Sequence, residues 1–72
     1  MGFDEMKMIP ELEQLVRERT HSRVRELNIA LDGGRIVLRG VADSFHLKQL
    51  AQHGILDVMP KVRIVNDIVV QA

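Results

Sequence analysis

His46 and His53 lie seven residues apart on a stretch of helical periodicity, nearly on one side, and His53 stands one turn before Asp57. Only the His53-Asp57 pair has local spacing suited to metal ligands, and a metal centre needs at least three that converge. No third is supplied, so the stretch reads as an exposed helix face with no metal. Ser22 and Ser44 each have a histidine close in sequence, His21 and His46. Neither pair comes with an orienting acid and an oxyanion site in the arrangement that nucleophilic catalysis requires. The glycine-rich Asp32-Gly33-Gly34-Arg35 lacks the strand, loop and helix context of a phosphate loop and reads as a hairpin turn. The expectation is a chain with no catalytic residues and no cofactor, which is not an enzyme.

The segment Asn28 to Ala42 organises the elements that carry these residues. Apolar residues alternate on both sides of Asp32-Gly33-Gly34, as in a β-hairpin whose glycines take the positive φ angles of its turn. Strand 1 turns Leu27, Ile29 and Leu31 one way, and strand 2 alternates Ile36, Leu38, Gly40 and Ala42 against Arg35, Val37, Arg39 and Val41. Gly40 is expected to let a helix pack closely on the sheet.

Before the hairpin, Pro10 suits a first helical turn, and Ile9, Leu12, Leu15 and Val16 form an apolar stripe, placing a helix over 10–21. Glu13 and Arg17 follow the favourable i, i+4 order on its solvated face. Residues 1–9 read as a loosely held tail, or as an amphipathic arm that docks, and residues 10–72 as the domain. After the hairpin, Asp43 or Ser44 caps a second helix. Leu47, Leu50, Ala51, Gly54, Ile55 and Val58 repeat at helical spacing over 44–58, with Gly54 on the buried stripe facing the sheet, and Pro60 ends it. Val62, Ile64, Ile68 and Val70 then alternate in a third strand over 61–71, where Asn66-Asp67 predicts a bulge or a change of pairing. A helix joining strands 2 and 3 makes a right-handed crossover with the strands parallel. The fold class is α+β, an αββαβ chain forming a three-stranded mixed sheet with both helices packed on one face.

Seventy-two residues form one thin-cored domain, with no cysteine to staple it. Ten basic and ten acidic side chains balance, which removes the field expected of a non-specific nucleic-acid binder. Phe3 and Phe45 are the only aromatics, too few for a base-stacking platform, and the G-x-x-G clamp of a KH-type RNA binder is absent. The expected partners exclude nucleic acid. No apolar run is long enough to span a membrane, and the first ten residues do not read as a secretory signal. The expected location is cytoplasmic if the chain is complete, and periplasmic or membrane-associated if it is a piece of a longer protein.

The run Gly34-Arg35-Ile36-Val37-Leu38-Arg39-Gly40-Val41, the amphipathic helix after it, and Ile64-Val65-Asn66-Asp67-Ile68-Val69-Val70 resemble the BON domain family, whose pattern is G-x-V-x-L-x-G-x-V, a helix, then V-x-N-x-L-x-V. The resemblance covers about residues 10 to 71. It implies an αββαβ module, usually part of secreted, periplasmic or membrane-associated proteins, with binding to phospholipid surfaces as the proposed role. Gly34 and Gly40 are then its structural glycines.

With both helices on the face lined by Leu27, Ile29, Leu31, Ile36, Leu38, Ile64, Ile68 and Val70, the other face has no cover within the chain. It carries Ala30, Val37, Val41, Val65 and Val69, edged by Arg35, Arg39 and Arg63. An apolar group rimmed by arginine is what a partner surface looks like, although valine also serves strand propensity. Two kinds of partner follow. One is an anionic phospholipid surface met by Arg35, Arg39 and Arg63, or by Lys48 beside Phe45. The other is a protein, or a second copy forming a homo-oligomer, met by the valine face.

Overall fold

A computed structural model describes residues 5–71. The elements run α1 (Glu5–Arg19), β1 (Arg25–Asp32), β2 (Arg35–Ala42), α2 (Phe45–Val58) and β3 (Arg63–Val70). β2 lies in the middle of the sheet, antiparallel to β1 and parallel to β3. α1 packs on β1 and on α2, while α2 packs on β2 and β3. Ile29, Ile36, Leu38, Ala42 and Ile68 are buried beneath the helices. The α+β class and the αββαβ order are those the sequence pattern predicts.

α1 begins earlier than Pro10 suggests. Met8, Leu12, Val16 and Thr20 recur every four residues and are all buried, so the apolar stripe continues one turn upstream of proline. That burial offsets the hydrogen bond proline cannot donate. Residues 5–9 are therefore helical, and Phe3, assigned with them to a tail, lies outside the described residues. Thr20 Oγ1 donates to the Val16 carbonyl at 2.7 Å. Beyond it the Ser22 N–H reaches back to the Arg17 carbonyl at 2.7 Å, closing the helix with His21 at φ 54 and Ser22 at φ 58.

The hairpin turn is built as read. Gly33 and Gly34 take φ of 57 and 79, both positive as a two-residue turn of matching twist demands. Further along, β1 carries a bulge. Arg25 is opposite Val41 and Asn28 opposite Arg39, so one extra residue sits in β1, and Glu26 has φ 53. The irregularity expected at Asn66-Asp67 is thus in β1, because β3 keeps unbroken register with β2 from Arg63 to Val70.

Two glycines serve neighbours other than those expected. A Cβ on Gly40 would stand 2.9 Å from the Arg25 carbonyl oxygen and 2.9 Å from Val24 Cγ1, so it makes room for the β1 bulge rather than for a helix. A Cβ on Gly54 would stand 3.0 Å from Arg19 Cγ, so that glycine admits α1 and not the sheet. Ser44 caps α2, its Oγ accepting the Leu47 N–H at 3.2 Å, and Met59 closes the helix by donating to the Ile55 carbonyl before Pro60.

Candidate functional site

The strand pairings arrange the open face of the sheet in transverse rows. Nearest the turn stand Asp32, Arg35 and Arg63; next Ala30, Val37 and Val65; then Asn28, Arg39 and Asp67; and at the far end Val41 beside Val69, with Arg25 across from Val41. Period-two alternation makes every second residue of each strand face this way, and the register sets them side by side. Charged and apolar rows therefore alternate along the strands.

Burial separates the predicted residues. Val37, at the centre of the sheet between Ala30 and Val65, is only 8% exposed and presents little surface to a partner. Its place on the central strand, with β1 on one side and β3 on the other, accounts for this. Val41 and Val65 are half-buried, whereas Val69 is 52% exposed. Arg39 and Arg63 are exposed, as are Ala30 and Arg35. Leu31 and Val70, expected in the core, are 42% and 40% exposed; Leu31 stands one residue before the end of β1, beside the turn, and Val70 is the last residue of β3.

The register also qualifies the basic rim. Arg35 reaches Asp32 at 3.5 Å, and Arg39 has Asp67 beside it in the ladder. The face thus mixes signs. Among the described residues, neither Arg63 nor Asp67 takes part in an ion pair within the chain.

The histidine stretch on α2 reads differently once α1 is in place. Asp57 pairs with Arg19 rather than with His53, and His46 and His53 are both exposed. Among the described residues no three acidic, histidine or cysteine side chains come together as a metal would require. Lys48 is half-buried and Phe45 is 60% exposed at the start of α2.

Asn66 is a residue whose role the sequence reading missed. Its Nδ2 donates to the Lys48 carbonyl at 3.0 Å and to Gln52 Oε1 at 3.2 Å, while its Oδ1 accepts the Ile68 N–H at 3.3 Å. One amide thereby ties β3 to α2. A lone polar residue at an inward-facing position of an otherwise aliphatic strand was the available signal.

Fold and face together define a small α+β domain in which, among the described residues, one side of a three-stranded sheet is uncovered. No family model, no curated protein and no solved structure matches the chain. No helix of the described residues is long and apolar enough to cross a membrane.

Proposed function

We propose that the chain is a non-catalytic, BON-like binding module whose open sheet face docks on a protein partner. The observation that carries the reading is the half-exposed Val69, standing beside Val41 at the end of a face whose next row holds both Arg39 and Asp67. Apolar contacts flanked by charges of both signs suit a protein surface, which can answer each sign in turn. An anionic phospholipid surface is the second reading, favoured by the exposed Arg35, Arg39 and Arg63 on one side of the sheet. Head groups would reward those arginines but not Asp32 and Asp67, which share their rows.

The test compares the wild-type chain, Val69→Asp, Arg39→Glu and the control Gln49→Glu on α2, each immobilised and exposed to the same cell extract. Flotation with anionic and with neutral vesicles at low and physiological salt runs alongside. Proteins held by wild type and control but lost from both face variants support the reading. Identical capture by all four chains overturns it. Salt-sensitive flotation with anionic vesicles alone, abolished by Arg39→Glu, replaces it with the lipid reading.

A further inference from the structure

Among the described residues the sheet has two free edges, and they are unlike. The β1 edge is broken by the bulge between Arg25 and Asn28, a device that discourages strand addition. The β3 edge runs for eight residues in unbroken register, with no proline and with aliphatic residues at five positions. We infer that the β3 edge pairs with β3 of a second copy, antiparallel and centred on Val65, so that two sheets join into one.

Hydrogen-bond directions select that register. The Gln71 N–H donates to the Ala42 carbonyl at 2.8 Å, toward β2. Alternation then turns the backbone groups of Val65, Asp67 and Val69 toward β2, and those of Ile64, Asn66 and Ile68 toward the free edge. The Ile68 N–H is already taken by Asn66 Oδ1, and the Val62 N–H donates to the Met59 carbonyl at 3.2 Å. Between these satisfied ends, the N–H groups of Ile64 and Asn66 have no acceptor among the described residues and are open to a partner. With Val65 opposite its own copy, Ile64 of each chain faces Asn66 of the other as a hydrogen-bonded pair, so each open donor meets an open acceptor. Shifting the centre to Asn66 sets Ile64 against Ile68, whose N–H is occupied.

Charge selects the same register. Centring on Val65 places Arg63 of each chain opposite Asp67 of the other, in the non-hydrogen-bonded position where side chains come closest. These are the two charged residues of β3, and neither has an ion-pair partner within the described residues. Shifting the centre to Asp67 would instead set Asp67 against itself, and like charges directly opposite are destabilising. The two-fold axis runs perpendicular to the sheet, so both helical layers lie on one side and the open faces form one continuous surface. The pairing uses the edge and not the face, and so stands apart from the partner reading above.

Sedimentation equilibrium over a concentration series tests it with wild type, Arg63→Asp, Asp67→Arg, the double reversal Arg63→Asp/Asp67→Arg, and an equimolar mixture of the two single variants. Circular dichroism checks that each chain is folded. Expected are a wild-type dimer, single variants whose dissociation constants are about tenfold weaker or more, and recovery in both the double reversal and the mixture. Residues 63 and 67 are about 13 Å apart along one strand, so recovery in the mixture can arise only between chains. A wild type that remains monomeric at every concentration overturns the inference. So does a dimer indifferent to both single reversals, or one lost in Val69→Asp but not in Asp67→Arg, which would place the contact on the face.

Discussion

Arg19 lies across Gly54: its Cγ is 3.0 Å from the place a Cβ on that glycine would occupy, and its guanidinium continues to Asp57, one turn further along α2. The two helices are thus joined by an apolar stem resting where a side chain is missing and by an ion pair at its tip. Alanine is worth about 1 kcal/mol over glycine in a helix interior, but here it has to displace Arg19. Gly54→Ala is expected to leave stability nearly unchanged in the wild type and to stabilise by about 1 kcal/mol in an Arg19→Ala background. Urea unfolding of the four chains of that cycle measures the coupling, and a gain of equal size in both backgrounds would show that the stem does not obstruct the site.

Gly40 faces a harder neighbour. A methyl group there meets a backbone carbonyl at 2.9 Å as well as Val24 Cγ1, and a carbonyl held by the β1 bulge cannot swing aside as a side chain can. Gly40→Ala is expected to cost about 2–3 kcal/mol, a large share of the stability of so small a domain. Thermal unfolding checks it, and an unchanged midpoint would mean that the bulge is free to shift.

Much of this architecture is legible in the chain because period-two and helical patterns follow directly from which side of an element is buried. Leu47, Ala51 and Ile55 mark the inner face of α2, and Ile36, Leu38 and Ala42 that of β2, as their burial bears out. What fills the space left by a glycine is a tertiary fact, which is why the sequence pattern points Gly40 to a helix and Gly54 to the sheet while the fold sets them against the β1 bulge and Arg19. The open face was legible as a set of residues but not as a surface. Val37 and Val69 have the same side chain on the same face, and only the central position of β2 and the end position of Val69 separate a buried valine from a half-exposed one. Pairing of Asp67 beside Arg39 likewise depends on register, which the alternation alone does not fix.

Asn66→Ala removes donors to the Lys48 carbonyl and Gln52 together with the acceptor of the Ile68 N–H. A loss of about 1–3 kcal/mol is expected from the part-buried groups left without partners. Amide exchange adds a local signature: Ile68 should exchange markedly faster relative to its neighbours Asp67 and Val69. Uniform acceleration along β3 would point to global destabilisation alone.

The close of α1 stores strain at His21, a non-glycine residue at φ 54 that ends the helix. An L side chain in this left-handed region costs about 1–2 kcal/mol, part of which glycine returns as unfolded-state entropy. His21→Gly is expected to stabilise the domain by about 0.5–1 kcal/mol. The same replacement at the exposed His53, in the interior of α2, should destabilise it by a comparable amount. Chemical unfolding of both variants decides the matter; two destabilised chains would mean that the left-handed closure is not strained.

Val37 and Val69 give the sharpest contrast, because the same substitution on the same face should have opposite consequences. Aspartate at Val37 puts a carboxylate at a position 8% exposed, with Ala30 and Val65 on either side and no donor between them. Its expected cost is about 3 kcal/mol or more, enough to leave much of the chain unfolded at room temperature. Aspartate at Val69, 52% exposed at the end of β3, keeps its water and is expected to change stability by no more than about 0.5 kcal/mol. Partner binding lost in Val69→Asp can therefore be assigned to the surface, while the same loss in Val37→Asp reports unfolding. Circular dichroism and urea titration of the two variants establish which is which, and equal stability of the pair would show that Val37 is as accessible to solvent as Val69.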